Sequence, residues 1–496
     1  MLDPTTRAVY NAATTPVARA QAVRDSLGTN LTVEVRDGET LVYSGTFTGP
    51  MTAGGDGSLS ADVLLSGLVG TAGTPNAATW TCRIRNADGR YIEGSFGPGG
   101  RFTFSGGALV VGQAVRLRVT IAAAGGWPVW RRGMAPRTWA EVPTADTLSD
   151  INPRNNPAVN PNYPGSPEWN AVSGQSQIIS AWCGGCYDEL SDTLWLPLGG
   201  GHSDYAGNEP YRITLNADTP AFEMVRPPSG AIGNLLMTND GQESSGVYAD
   251  GRPRAIHSYN KPVFVPGTGP FIAVQGNCSW SGQAGTTRAI RINGLTGEAT
   301  MLAANPFAGA SSGGGSCYDP TRHAIWWRHA GTGGFSRYSV ADDSWSSVGA
   351  SKAVSGYSAL CYLPDHDCIL WANNGLTNGF AVLDCAAATL HEPDLIGSPV
   401  GATIRGHTQP RWVSSLGGAA FWDNASDTTI INVLTPGANP RTDAWTASQL
   451  SVSEGNAVTP TSRTTNGTYG RFVYSPKLNG FFVLNATNQR PYFFAL

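Results

Sequence analysis

The feature that most constrains the fold is a repeat that begins near residue 186. Each copy joins an apolar strand end to a second apolar strand through a short turn rich in Pro, Asp or Gly. The copies are CYDELSDTLWL (186–196), VFVPGTGPFIAV (263–274), CYDPTRHAIWW (317–327), CYLPDHDCILW (361–371), WVSSLGGAAFW (412–422) and VYSPKLNGFFVL (473–484). Two further strand-like stretches follow most copies. Four strands per ~40–50 residues, repeated side by side, predict an all-β fold of the β-propeller type.

Six copies predict six blades. The long gap between the first two copies leaves a seven-bladed ring as an alternative, although 228–246 has the composition of a loop. After the last copy only PYFFAL (491–496) remains, which is enough for a third strand but not for a fourth. An unclosed ring leaves an open strand edge. We therefore expect TWAEVP (138–143) to complete the last blade by pairing antiparallel with PYFFAL.

The region before the repeat has a different pattern. Apolar residues alternate with polar ones from Leu31 and again from Val115, and Asp88-Gly89 lies between two strand-like runs as in a hairpin. This pattern is typical of an antiparallel β-sandwich. We divide the chain into an N-terminal segment with one short helix (1–28), a β-sandwich (29–122), a Gly/Pro/Asn-rich linker that holds the closing strand (123–175), and the propeller (176–496).

Two stretches of the sandwich resemble a small domain that is common in phage virion proteins. They are ATWTCRIRNADGRYIEGSFG (78–97) and GGALVVGQAVRLRVTI (106–121). The resemblance implies attachment to other virion subunits through residues 1–122. We also expect a homo-oligomer in the particle. We find no signal peptide and no apolar run of the ~18 residues that a membrane span needs. We expect a virion protein made in the bacterial host cytoplasm.

The propeller resembles the kelch and galactose-oxidase central-domain propellers at 199–215 and 251–266. In those blades a glycine pair ends the second strand and a tyrosine opens the third, and Gly200, Gly201 and Tyr211 match. The resemblance implies the fold and says little about function, because propellers host many activities.

The sequence gives few signs of a catalytic or metal-binding site. The copper site of galactose oxidase takes one histidine from a domain after the propeller, and this chain ends inside its last blade. Four histidines fall near blade-connecting loops, without ligand spacing, so we expect them to form hydrogen bonds: His202, His257, His329 and His407. Cys183-Gly-Gly-Cys186 lacks a redox or zinc context, which favours packed small residues. We expect no catalytic residues, metal or cofactor.

Composition limits the partners. Charged residues make up only 14% of the chain, and the net charge of −4 is spread without a basic run. Nucleic-acid binding needs a clustered positive field, so it is not expected.

Loop length marks one face of the propeller. The connections between strands 2 and 3 and between blades are long, and in a propeller both open on the same face. Their Asn, Asp, Trp and Tyr residues suit sugar hydroxyls and an aromatic platform. The candidate ligand-binding residues are Asp204, Tyr205, Trp280, Asn373, Asn374 and Asp423.

Three functions stay open. The first is a tail-associated host-recognition protein whose propeller binds a cell-surface glycan or receptor. The second is a head decoration or spike protein without an essential ligand. The third is an enzyme of the glycan-acting or copper-radical type, for which Asp204, Glu209 and Asp423 are the acidic candidates.

Overall fold

We analysed a computed structural model of the chain. It describes residues 27, 31–37, 40–47, 52–53, 58–64, 80–85, 91–95, 102–105, 114–120, 127–152, 174–201, 204–205, 207–229, 245–248, 250–278, 285–308, 313–330, 333–354, 356–399, 404–422 and 427–496. The chain divides into two compact units, Met1–Trp127 and Pro128–Leu496. Apart from Leu27, the helix predicted before residue 28 lies outside the described residues.

The first unit contains two four-stranded antiparallel sheets, with strand orders β2-β1-β5-β6 and β3-β4-β8-β7. The strands are β1 (Leu31–Asp37), β2 (Thr40–Phe47), β3 (Thr52–Ala53), β4 (Ser58–Leu64), β5 (Trp80–Arg85), β6 (Tyr91–Ser95), β7 (Phe102–Ser105) and β8 (Ala114–Thr120). Val33 pairs with Ile84, and both side chains are fully buried. The predicted hairpin around Asp88-Gly89 is confirmed by the pairing of β5 with β6.

The second unit is a six-bladed propeller, as the repeat predicts. In blades 1 to 5 the four antiparallel strands run in chain order from the axis outward. Blades 1 to 3 are β10 (Cys186–Asp188), β11 (Thr193–Leu196), β12 (Tyr211–Thr214) and β13 (Phe222–Met224); β14 (Pro262–Val265), β15 (Gly269–Ile272), β18 (Arg288–Ile292) and β19 (Ala299–Ala304); and β20 (Gly315–Asp319), β21 (Ala324–Arg328), β22 (Gly334–Ser339) and β23 (Ser344–Ser351). Blades 4 and 5 are β24 (Ala359–Leu363), β25 (Cys368–Ala372), β26 (Phe380–Asp384) and β27 (Leu390–His391); and β29 (Arg411–Val413), β30 (Gly418–Phe421), β31 (Ile431–Thr435) and β32 (Trp445–Leu450).

Blade 6 closes the ring with a strand from far upstream. It consists of β33 (Phe472–Ser475), β34 (Gly480–Val483), β35 (Tyr492–Ala495) and the outer strand β9 (Trp139–Glu141). In the register, Phe493 lies opposite Ala140 and Phe494 opposite Trp139, and the pairing is antiparallel. The predicted closure by TWAEVP is therefore confirmed. It joins segments about 350 positions apart in the sequence and leaves no blade with a missing strand.

Several short strands and helices lie outside the four-stranded blades. A hairpin of β16 (Gly276–Asn277) and β17 (Gly285–Thr286) extends the second blade, and β28 (Leu395–Ile396) pairs in parallel with β32. The two α-helices of the described residues are short, α1 (Val129–Arg132) and α2 (Gln177–Ser180), and 3₁₀ turns cover Gly174–Ser176 and Ser414–Leu416. None of the helices in the described part of the chain is long and apolar enough to cross a membrane.

Apolar side chains fill the spaces between neighbouring blades. One cluster joins Leu194 and Ile213 of blade 1 to Phe482 of blade 6, and similar clusters lie between the other neighbouring pairs. Inner strands are therefore buried on both faces, as in Ala359–Leu363, where every residue is buried. This explains why the repeats are continuous apolar runs and do not alternate.

Near the axis, side-chain amides form hydrogen bonds between different blades. The Asn260 amide nitrogen donates to the carbonyl oxygens of Ser358 (2.9 Å) and Gly406 (2.6 Å), and so links blade 2 to the entries of blades 4 and 5. The Gln409 amide donates to the carbonyls of Ser316 and Leu360. These bonds connect the innermost parts of blades 2, 3, 4 and 5.

Candidate functional site

An aromatic ring surrounds the axis on the face with the long loops. Six residues before the last residue of each innermost strand, the chain places an aromatic side chain in five blades and a glycine in one. We call this set the axial ring: Trp182, Tyr259, Gly313, Tyr357, His407 and Tyr469. Because each blade enters its first strand from this face, equivalent positions converge on one mouth.

The ring members touch across the axis. The rings of Tyr259 and Tyr357 stack with centroids 5.2 Å apart, and Tyr469 meets both edge-on at 5.7 and 6.1 Å. His407 lies 4.7 Å from Tyr357. A Cβ on Gly313 would lie only 2.7 Å from the Tyr357 ring, so the glycine leaves room for that ring. The side chains thus form a continuous aromatic floor.

Three members of the ring adopt an unusual backbone conformation. Trp182, Tyr259 and Tyr469 have φ of 52°, 46° and 43°, in the left-handed region that bulky residues seldom enter. Neighbouring blades hold them there, since the Tyr259 amide donates to the Trp182 carbonyl (2.7 Å) and the Tyr469 amide to the His407 carbonyl (3.0 Å). Such strain costs about 1–3 kcal/mol per residue and clusters at functional sites.

The aromatic floor is partly exposed and contains a buried hydroxyl without a partner in the part of the chain that the structure describes. Trp182, Tyr357 and His407 are half-buried, whereas Tyr259 and Tyr469 are buried. The hydroxyl of Tyr469 has no hydrogen-bond partner among the described residues. Burial raises the pKa of this phenol, so the group stays neutral. A buried hydroxyl without a partner costs about 1–3 kcal/mol.

A carboxylate–imidazole pair lies at the edge of the floor, and we call it the rim pair. Asp204 Oδ2 and His257 Nε2 are 2.7 Å apart, and the His257 ring lies 5.1 Å from Trp182. A Cβ on Gly201 would lie 1.7 Å from the imidazole, so only glycine permits this approach. The match of Gly201 to the kelch-like glycine pair therefore has a local physical reason. The pair presents one partly exposed carboxylate beside the aromatic surface.

The described members of the sequence-predicted site differ in burial and in their hydrogen-bond partners. Asp204 lies on the rim. Tyr205 is buried, and its hydroxyl donates to Glu209 Oε1 at 2.6 Å, so it supports the loop from inside. Asn373 is also buried, and its amide donates to the Tyr357 carbonyl at 2.9 Å, which places it directly behind a member of the axial ring. Asn374 is exposed. Trp280 and Asp423 lie outside the described residues.

Two buried cations accompany the axial ring. Lys261 Nζ donates to the Gln275 carbonyl at 2.8 Å and lies 5.5 Å from the centre of the Tyr259 ring. Arg471 donates to the carbonyls of Cys183, Gly467 and Leu484. Within the described residues neither forms an ion pair with a carboxylate. Burial lowers the pKa of Lys261 to about 7 and that of Arg471 to about 10.

His329 and the Cys183–Cys186 motif lie in surroundings that indicate a structural role. Burial lowers the pKa of His329 to about 4, and its Nε2 lies 3.0 Å from Ser336 Oγ. His202 lies outside the described residues. Cys183 and Cys186 are free and buried, and a Cβ on Gly184 between them would lie 2.0 Å from the Tyr259 carbonyl oxygen. The predicted packing of small residues is therefore what the structure has at this motif.

One group of potential metal ligands lies on the opposite face. Asp319, Asp367 and Cys385 bring their ligand atoms within 4.8 Å of one another. Arg322 already bonds both carboxylates, at 2.9 Å to Asp319 and 2.6 Å to Asp367. This arrangement links the 1–2 turns of blades 3 and 4, and both carboxylates bond the same guanidinium.

Sequence reasoning did not identify the axial ring. The signal was available, because counting back from the turn of each repeat reaches the same position in every copy. However, the residue type at that position varies between Trp, Tyr, His and Gly. Only the fold shows that these positions meet.

No protein-family model matches the chain, and no curated protein sequence matches it. Solved structures with distant likeness include TolB from Acinetobacter baumannii, 11% identical with a TM-score of 0.31 over 52% of each chain. The chain thus matches about half the length of that TolB structure. An auxiliary nutrient binding protein from Bacteroides ovatus is 12% identical with a TM-score of 0.36, over 93% of this chain and 90% of that one. The major Malassezia sympodialis allergen Mala s 1 is 8% identical with a TM-score of 0.39, over 64% and 94%. Likeness at this level carries no argument about function.

Proposed function

We propose that the protein is a binding protein of a bacteriophage particle, tail-associated, whose propeller adsorbs to a glycan or glycan-bearing receptor on the host surface. The observation that carries the binding function is the axial ring. Five of six equivalent positions hold aromatic side chains, three of them in a strained backbone conformation. Core packing alone does not need strained aromatic residues at an open mouth.

The chemistry of the mouth suits a sugar. Half-buried Trp182 and Tyr357 offer faces on which a pyranose ring stacks, which contributes roughly 0.5–1.5 kcal/mol per aromatic contact. The partly exposed carboxylate of Asp204 supplies an acceptor for sugar hydroxyls. Each contact is weak, and several copies on one particle would multiply the affinity through avidity.

The virion context is proposed on the sequence resemblance of residues 78–97 and 106–121. Under this proposal residues 1–122 attach the protein to other virion subunits, and identical copies assemble in the particle. A head decoration protein without an essential ligand is the competing function.

The experiment replaces the partly exposed aromatic side chains of the floor. We expect Trp182→Ala with Tyr357→Ala to reduce adsorption of otherwise intact particles to host cells by tenfold or more, because the stacking surface is lost. Trp280→Ala belongs in the same series, since Trp280 stays a predicted ligand residue. The matched control is Trp412→Ala, an aromatic residue whose indole bonds Asp365 on the opposite face.

Thermal unfolding of each variant checks that the propeller is intact. Unchanged adsorption by a folded Trp182/Tyr357 double variant would remove the receptor site from this face and favour the decoration function.

An enzymatic role has one observation in its favour, the 2.7 Å hydrogen bond between His257 and Asp204. A carboxylate-oriented histidine is a common general base. If incubation with the bound glycan releases products, and Asp204→Asn stops the release while binding persists, the site would be catalytic.

A further inference from the structure

We propose that the ligand of the axial mouth is anionic, a surface polysaccharide that carries carboxylate or phosphate groups. This inference rests on the proposed function and names the charge of the ligand that the same site would take. The observation behind it is a buried positive charge around the aromatic floor that the described part of the protein does not compensate.

Three buried cations lie at the ends of strands that open on this face. Lys261 and Arg471 lie two residues after Tyr259 and Tyr469 of the axial ring, and Arg328 is the last residue of β21. All three are at most 1% exposed.

The hydrogen bonds of these cations go to backbone oxygens. Lys261 donates to Gln275, Arg471 to three carbonyls, and Arg328 to the carbonyls of His329, Lys352 and Val354. No described carboxylate forms an ion pair with any of them. Because the acceptors are neutral oxygens, the positive charge of each cation is not cancelled. Little water surrounds a buried charge, so the charge is screened less and acts over a longer distance.

Some arginines outside the mouth are paired with carboxylates. On the opposite face Arg322 pairs with Asp319 and Asp367, and Arg441 pairs with Asp384. In the mouth, the Asp204 carboxylate bonds His257 and pairs with none of the three buried cations. The positive potential at the floor is therefore open to a negative group of the ligand.

The distances give the size of the effect. The Lys261 ammonium lies 5.5 Å from the centre of the Tyr259 ring. An acidic sugar stacked about 4 Å beyond the floor would lie roughly 9–10 Å from this charge. At an effective dielectric of about 20, that attraction corresponds to about twentyfold in affinity.

The test measures binding of the full-length protein to a glycan array. The array holds acidic bacterial polysaccharides with their carboxylates free and amidated, a glycerol-phosphate teichoic acid, and neutral polysaccharides. We expect binding to acidic members. Loss of binding on amidation identifies a carboxylate, and binding to the teichoic acid identifies a phosphate.

The variant arm separates charge from packing. Lys261→Met keeps the length of the side chain and removes the charge, and we expect it to weaken binding to the acidic glycan about ten- to twentyfold at low salt and pH 6, where the lysine is protonated. Lys352→Met is the matched control, because the Lys352 ammonium is partly exposed and already paired with Glu392; we expect its affinity to change less than twofold. Melting temperatures confirm that both variants are folded.

The outcomes distinguish the two proposals. Equal binding to free and amidated forms without binding to the teichoic acid, or binding to neutral glycans only, overturns the anionic ligand and leaves glycan recognition standing. Binding to no glycan at all, together with unchanged adsorption of the Trp182/Tyr357 double variant, overturns glycan recognition itself.

Discussion

The backbone at the axial ring shows how single residues prepare the mouth. Asp192, His323, Asp367 and Asn479 also have positive φ, but they lie at the ends of 1–2 turns, where short polar residues commonly adopt this conformation. Trp182, Tyr259 and Tyr469 do not belong to that class. Close packing also holds the backbone of Tyr259. Gly184 lies against the Tyr259 carbonyl, where there is no space for a side chain.

At the same scale, Lys261 gives a prediction about pH. Its pKa is lowered to about 7 from an ordinary 10.5 because burial disfavours the charged form, while the Cys278 and Cys183 thiols nearby act weakly in the other direction. Below pH 7 the lysine is charged in both the folded and unfolded states, and the folded state bears the full cost of the buried charge. Between about pH 7 and 10.5 the unfolded state binds more protons, so this cost is relieved as pH rises.

We therefore expect Lys261→Met to melt at a higher temperature than the unmodified protein at pH 6–7, by several degrees, and this difference to shrink toward pH 10. Differential scanning calorimetry at five pH values measures it, with Lys352→Met as the control that should follow the unmodified protein throughout. A difference that stays constant with pH would mean that Lys261 is not a buried charge.

At the scale of elements, β9 is the strand on which the ring depends. Trp139 is almost fully buried, its indole donates to the Thr429 carbonyl at 2.9 Å, and its ring packs 5.1 Å from Phe494 and 6.4 Å from Trp422. The strand therefore completes blade 6 and also fills the space between blades 5 and 6.

We expect Trp139→Ala to destabilise the propeller by about 3–5 kcal/mol, the usual cost of truncating a buried tryptophan, and to lower the melting temperature by several degrees. Trp127→Ala, at a tryptophan that is 37% exposed just before the propeller unit, should change it little. Equal effects of the two substitutions would contradict the role of β9 as the closing strand.

At the scale of the whole molecule, the chain divides into two compact units between Trp127 and Pro128. Under the proposed function they divide the work, with assembly in residues 1–122 and recognition in the propeller. α1 and β9 belong to the second unit, so residues 128–152 contribute to the propeller although their composition is that of a linker.

This division predicts that particles whose subunit lacks residues 1–122 contain no propeller, while residues 1–122 alone still enter the particle. Quantitative mass spectrometry of purified particles measures both. Incorporation of a propeller without the first unit would contradict the assignment of assembly to residues 1–122.

The sequence by itself determined the blade number and the closing strand. Both depend on local signals, namely the apolar runs, the turns between them, and the requirement that a strand edge in a closed ring be paired. The same local signals marked the face with the long loops, and Asp204 on it. Only the tertiary structure decided which side chains meet at the mouth. The axial ring joins residues from 182 to 469, and the rim pair joins residues 53 positions apart. The burial of Tyr205 and Asn373 was equally hidden, because a polar or aromatic loop residue has the same local signal whether it faces solvent or supports the loop from inside. Contacts of this kind exist only once the ring has closed, and closure is a property of the whole chain.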